Sequence, residues 1–213
     1  MAYIPSAILN TERFFDLTGS ITFLSITLIA TLNNDDPTGQ QYLAAAMVGV
    51  WAFRLGFFLF SRVMKKGEDS RFEEIKKSKL RFLVVWMFQA FWVIVPMSPL
   101  LVIMTGEPTN SRINSTTLGN AIGFIVWALG LAIEIVSDNQ KSDFNSKPEN
   151  KGKFISTGLW SISRHPNYVG EVIVWIGSSI FAFSGLEGGQ HLALISPVFV
   201  YILLMKVSGV NIL

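Results

Sequence analysis

Four stretches of this chain are long and apolar enough to settle its solvent before any other feature is read. Tyr42–Phe60, Phe82–Thr105, Leu118–Val136 and Val169–Leu186 each approach the roughly 20 residues that carry a helix across a hydrocarbon core. Leu17–Leu32 is shorter and is extended toward the interface by Phe14, Phe15 and Asp16. Leu192–Met205 is a sixth stretch, either a span or a helix lying against the bundle. In hydrocarbon every backbone N–H and C=O must be satisfied inside the segment or by its neighbours, which selects helices here. The expected fold is all-α: a multi-pass transmembrane bundle of about six helices, in one membrane-embedded domain over residues 1–213. Gly49, Gly56, Pro96, Pro99, Gly123, Gly130 and Gly177 lie inside the runs, where packed neighbours re-satisfy the backbone. Gly119 and Gly123 form a GxxxG pair of the kind that lets helices approach closely. Glu12 and Asp16 flank the first run and no basic segment precedes it, so it does not read as a signal peptide.

Composition narrows the chemistry. Only 15% of residues are charged, against about 25% in soluble domains. There is no cysteine, which excludes disulfides, thiolate zinc sites and a catalytic thiol. The two histidines, His165 and His191, are far apart and no HExxH occurs, so no metal site is expected. A net charge of +2 gives no reason to expect nucleic acid as a partner. Neither GxGxxG nor GxxxxGK[ST] is present, so any nucleotide would bind between helices and loops rather than on a Rossmann domain or a P-loop.

The basic residues matter by position. Arg62–Arg81 holds eight Lys/Arg against four acids, and Asp138–Asn167 holds five against three; together they carry 13 of the 17 basic residues. The positive-inside rule assigns both segments, and with them the N-terminus, to the cytoplasm. The membrane would be the endoplasmic reticulum in a eukaryote or the inner membrane in a bacterium. Asn114-Ser115-Thr116, a glycosylation triplet of a kind common by chance, falls on the other side. Arg54, Glu134 and Glu171 are ionisable groups in apolar surroundings, where charge is costly and tends to face a cavity or a partner. Arg54 reads more readily as functional than as structural. Glu134 is evenly balanced between the two.

One segment concentrates hydrogen-bonding chemistry: Gly158-Leu159-Trp160-Ser161-Ile162-Ser163-Arg164-His165-Pro166-Asn167-Tyr168-Val169-Gly170-Glu171. Pro166 fits the first turn of a helix. Ser163, Arg164, His165, Asn167 and Tyr168 then gather at a helix N-terminus, whose free N–H groups suit a phosphate or a carboxylate. Arg164 adds a permanently charged planar fork. Asn167 and Glu171 are four apart and share a face. An amide and a carboxylate there suit a carboxamide or ribose hydroxyls. Asp138 and Lys141 leave the preceding run close to the same surface.

This segment resembles the C-terminal signature of the steroid 5-alpha-reductase-like membrane proteins, in the branch long labelled a domain of unknown function. Supporting matches run in order: Phe15-Asp16-Leu17-Thr18-Gly19-Ser20, Trp51 to Arg62 with Arg54-Leu55-Gly56, Asp69-Ser70-Arg71-Phe72, Ser137-Asp138-Asn139-Gln140-Lys141 and Ser208-Gly209-Val210. The resemblance implies an integral-membrane reductase of about seven helices that binds NADPH from the cytoplasmic side. Its relatives reduce carbon–carbon double bonds in sterols and other lipids. By the same resemblance, Asn167 and Glu171 would meet the nicotinamide end. Asp138, Lys141, Arg164, His165 and Tyr168 would line the nucleotide site, and Arg54 and Arg62 would approach it from the second helix. No catalytic residue is assigned: the steroid enzymes' substrate-polarising Tyr and Glu have no identified counterpart, and Trp51 stands where the tyrosine would be sought. Relatives continue past the position of Leu213 through a further arm, so a missing C-terminal arm is expected.

A second reading starts from the same core. Membrane methyltransferases of the isoprenylcysteine carboxyl methyltransferase type also carry Arg-His-Pro-x-Tyr-x-Gly and bind S-adenosylmethionine. Asn167 with Glu171, and the Asp138–Lys141 segment, favour the reductase. A third reading is a protein that keeps the fold and has lost turnover. In either enzymatic reading, the expected partners are membrane lipids and a lipid or sterol-like small molecule.

Overall fold

A computed structural model describes residues 2–66, 72–106 and 118–207. Asn114-Ser115-Thr116, Ser208-Gly209-Val210 and the first three residues of Asp69-Ser70-Arg71-Phe72 lie outside the described residues. Among the described residues the secondary structure is helical, with no strand. The helices are α1 (Tyr3–Ile8), α2 (Phe15–Leu32), α3 (Gly39–Lys66), α4 (Lys79–Thr105), α5 (Leu118–Ser146), α6 (Pro166–Phe183) and α7 (Ser196–Ile202). Short 3-10 segments at Pro148–Asn150, Gly158–Ser161 and Gly188–Ile195, and a π segment at Leu203–Val207, connect or extend them. Five helical stretches are long and apolar enough to cross a membrane: α2, α3, α4, α5 and the composite Gly188–Lys206. The expected multi-pass helical bundle is therefore what the chain forms. Helix α6 is 18 residues long, enough for about 27 Å. Asn167, Tyr168 and Glu171 stand in its first two turns.

Large apolar side chains line the outer faces of the helices, and polar groups are buried between them beside an apolar core. Val50, Phe53, Phe57 and Met64 on α3 are more than half exposed. Thr27, Gln41, Gln89, Asn120, Glu134, Ser137, Asp138, Glu171, Ser178 and Ser179 are buried. That polarity suits lipid as solvent, because small and polar residues then supply contacts between helices.

The chain divides into two compact units, residues 1–108 and 109–213. In the first, aromatic side chains pack α1, α2 and α4. Phe15 meets Phe72 and Trp86 at 5.1 and 5.0 Å, Phe82 meets Trp86 at 6.2 Å, and Phe23 stands edge-on to Trp51 at 4.9 Å. Gln41 joins two helix ends. Its Oε1 accepts from the Thr38 backbone N–H at 2.8 Å while its own N–H donates to Thr38 Oγ1, a reciprocal cap on α3. Its Nε2 donates to the Ile103 and Gly106 carbonyls at 3.1 and 2.9 Å, which satisfies the open end of α4. Helix α4 runs unbroken through Pro96 and Pro99.

In the second unit α5 and α6 touch backbone to backbone. A methyl placed on Gly123 would lie 2.3 Å from the Phe181 nitrogen, and one on Gly177 would lie 2.3 Å from the Trp127 nitrogen. One turn or two further on, the same test at Gly130 meets Val174 N at 2.6 Å, and at Gly170 it meets Glu134 N at 2.7 Å. Rising numbers on α5 meet falling numbers on α6, so the pair is antiparallel. The glycines repeat at a spacing of seven, Gly123 to Gly130 and Gly170 to Gly177, which returns each to one seam every two turns. Asn120 adds a hydrogen bond from Nδ2 to the Phe181 carbonyl at 2.8 Å.

Candidate functional site

The seam sets where the polar chemistry sits. Helix α5 does not stop where its apolar run ends at Val136; it continues to Ser146. Asp138 and Lys141 therefore stand on a helix rather than in a loop. Because Gly170 packs on the Glu134 backbone, the last buried turns of α5 face the first turns of α6. Asp138 lies one turn past Glu134, and Asn167 one turn before Glu171. Asn167 Nδ2 donates to Asp138 Oδ1 at 3.3 Å, a bridge between the two helices.

The approach to α6 is braced on α5. Gly158 has φ +61, and a methyl there would lie 2.5 Å from the Gln140 side chain. A side-chain-bearing residue would therefore meet both strain and a clash. The Leu159 N–H donates to Gln140 Oε1 at 3.0 Å, and Trp160 Nε1 donates to the Ser137 carbonyl at 2.9 Å. Lys141 Nζ sits 4.4 Å from the Trp160 ring centroid, a cation–π contact. The chain then turns at His165, whose N–H donates to Ser163 Oγ, and enters α6 with Pro166 in its first turn.

His165 stacks on Tyr168 at 5.2 Å and meets Trp160 edge-on at 6.4 Å. Partial burial, then the positive charges of Lys141 and Arg164, hold its pKa below the ordinary 6.5, so the ring is neutral at neutral pH. Arg164 and Lys141 are exposed. The result is a two-level site. An outer rim carries Arg164, Lys141 and the His165–Tyr168 stack. Beneath it lie three buried acids, Glu134, Asp138 and Glu171, at 2%, 4% and 5% exposure. Glu171 Oε1 accepts from Trp175 Nε1 at 2.9 Å. Asn167 Oδ1 is a buried acceptor with no hydrogen-bond partner, the kind of atom that a donor-bearing ligand satisfies.

Of the residues expected from sequence, Asp138, Lys141, Arg164, His165, Asn167, Tyr168 and Glu171 come together at this end of α5 and α6. Arg54 and Arg62 belong to the other unit. They are partly buried on α3, and the Arg54 guanidinium lies 5.3 Å from the Phe58 ring centroid. Trp175 is absent from the sequence expectations, and Ser137 and Gln140 enter them only as part of the family match, with no site role. Trp175 was detectable, because it stands four residues after Glu171 on one helical face. Glu134 had the same relation to Asp138.

Fold and site together define a multi-pass helical membrane protein with a cluster of polar and acidic side chains at one end of a glycine-packed helix pair. A family model described as "Protein of unknown function (DUF1295)" matches residues 2–213, and the chain belongs to that family. Among curated proteins, "Probable O-methyltransferase ustE" of Ustilaginoidea virens is 38% identical over 88 residues, which is 40% of this chain and 31% of that protein. The chain thus spans about a third of the length of that relative. No solved structure matches the chain.

Proposed function

We propose that this protein is a membrane reductase of the steroid 5-alpha-reductase-like type, which uses NADPH to reduce a carbon–carbon double bond in a lipid or sterol-like substrate. The observation that carries the reading is the Asp138–Asn167 bridge, with the Asn167 acceptor left open beneath a cationic rim. A nicotinamide carboxamide or a ribose brings N–H and O–H donors to buried acceptors such as Asn167 Oδ1 and the Glu171 carboxylate. The pyrophosphate and 2′-phosphate of NADPH bring anions to Arg164 and Lys141. His165 and Tyr168 offer flat faces to an adenine or nicotinamide ring. The cofactor would supply the hydride for one alkene carbon, with a proton completing the other. The chain's own part is to hold the cofactor and keep water out. Arg54 and Arg62 are assigned to the same nucleotide by family resemblance alone.

A methyltransferase is the second reading, favoured by the 38% identical relative, a probable O-methyltransferase. S-adenosylmethionine would place amine donors and a sulfonium near the buried acids. It has no phosphate for the rim, which is why NADPH is preferred here. The two separate cleanly in thermal stabilisation of the purified protein. The reductase expects NADPH to stabilise more than NADH, with S-adenosylmethionine inert. Stabilisation by S-adenosylmethionine without NADPH would transfer the assignment to the methyltransferase.

The reading sets the site on the cytoplasmic side, with the two basic segments. The chain has no cysteine of its own, so single cysteines report cleanly. With an impermeant reagent on intact cells, Ser146→Cys should be protected and Asn34→Cys labelled. Labelling of Ser146→Cys from outside would overturn the orientation.

A further inference from the structure

The first unit holds a cleft that the reading above does not use. Helix α1 is tied to the start of α4. The Tyr3 hydroxyl donates to the Lys79 carbonyl at 3.0 Å, and the Tyr3 ring lies 5.8 Å from Phe82. A few residues on, buried Glu12 pairs with Lys76 at 2.5 Å. The N-terminal segment is thereby fastened to the end of a membrane span, at headgroup depth. Yet Ile4, Ile8, Leu9 and Phe14 are all exposed. Helix α4 begins an exposed stripe one residue after Lys79: Leu80, Val84, Met87, Phe88 and Phe91, at helical spacing. Between α1 and α4 lies a cleft of about 470 Å³ lined by Ala7, Ile8, Asn10, Lys76, Lys79 and Phe82. The charge of Lys76 is matched by Glu12. Lys79 makes no ion pair among the described residues. The cleft therefore joins an apolar wall to a cation and an amide.

We propose that this cleft binds the headgroup end of an anionic glycerophospholipid from the leaflet on the side of the Arg62–Arg81 segment. Lys79 and Asn10 take the phosphate, and the glycerol and first acyl carbons lie along Ala7, Ile8 and Phe82. A lysine at a span's end lays its stem on apolar surface and keeps its charge among headgroups. The excess of basic residues nearby adds attraction for an anionic leaflet. A soluble phosphate would satisfy Lys79 equally but would leave the apolar wall of Ala7, Ile8 and Phe82 without an apolar partner. The apolar residues therefore select a lipid.

The test uses the full chain in lipid nanodiscs, with a bimane at Ile8→Cys and a control at Phe91→Cys in the α4 stripe. Phosphatidylglycerol and phosphatidylcholine, brominated at the same shallow acyl position, serve as quenchers in turn. The expected result is a preference of about fivefold for phosphatidylglycerol at position 8, the effect of one lysine near an anionic surface. Position 91 should show no preference. Lys79→Glu should abolish the preference at 8 and leave quenching at 91 unchanged. Equal quenching by both lipids at position 8, in the otherwise wild-type chain, would overturn the proposal whether or not Lys79→Glu folds. Loss of the preference in millimolar inorganic phosphate would assign the cleft to a soluble anion instead. None of these readouts involves NADPH, so the result stands apart from the cofactor assignment.

Discussion

The two units solve helix packing in opposite ways. The first interposes side chains: among the described residues seven aromatics, Tyr3, Phe15, Phe23, Trp51, Phe72, Phe82 and Trp86, meet rings of neighbouring segments. The second removes side chains, so that Gly123, Gly130, Gly170 and Gly177 bring two backbones into contact. The consequence is chemical. Large rings fill space and leave little of it for charge. A glycine seam brings helix axes together and draws side chains from facing turns into one small volume. That is where Glu134, Asp138, Asn167 and Glu171 are found. The polar cluster of the second unit is built where packing was given to the backbone.

Breaking each mode should give different signatures. The largest loss is expected in the first unit. Phe82, 2% exposed, contacts Tyr3, Phe72 and Trp86, and Phe82→Ala should cost about 3–5 kcal/mol. Thermal unfolding in detergent checks this, and nucleotide affinity of the folded fraction should be unchanged. Gly177→Ala comes next. The new methyl would meet the Trp127 backbone at 2.3 Å, and backbone cannot rotate away, so about 1–3 kcal/mol is expected. Here nucleotide affinity should fall as well, because the seam aligns Asp138 with Asn167. Gly49→Ala is the control. A methyl at that position meets nothing within 4 Å, and the helix should gain about 0.8–1 kcal/mol.

Much of this was legible in the amino-acid sequence. The apolar runs located α2, α4 and the composite Gly188–Lys206 stretch to within a few residues, since hydrophobic length is a direct physical requirement, whereas Val169–Leu186, expected as a span, is not among the five stretches long and apolar enough to cross. Pro166 marked the start of α6, and the polar density after it marked the candidate site. The continuation of α5 to Ser146 was not legible, because Ser137–Ser146 is too polar to show an apolar stripe. The GxxxG pair at Gly119 and Gly123 pointed to close packing. The observed seam instead pairs Gly123 with Gly130 at a spacing of seven, and only the facing helix, with Gly170 and Gly177, reveals that register. Trp160, which the sequence offered only as one member of the Gly158–Glu171 segment, is the brace that carries Lys141 and donates to the Ser137 carbonyl.

The smallest effect concerns His165. Its pKa is depressed by burial and by Lys141 and Arg164, so the folded state resists a proton that the unfolded chain accepts. Stability should be fully present above about pH 6.5 and decline as pH falls below it. His165→Asn should flatten that part of the profile, as read from melting temperature against pH. An unchanged profile would mean that the ring is as free to titrate as in water.

The proposed role of the amide–carboxylate group on α5 and α6 is to hold a cofactor rather than the fold. Its most direct test pairs two measurements, the apo melting temperature and NADPH affinity, for Glu171→Gln and Asn167→Ala. Loss of a charged hydrogen-bond partner costs about 1.5–3 kcal/mol, roughly ten- to a hundredfold in affinity. The account predicts near-native melting with affinity reduced on that scale in both variants. A large drop in apo melting temperature with affinity unchanged in the surviving protein would contradict it, and would make Glu171 and Asn167 packing residues of the helix pair.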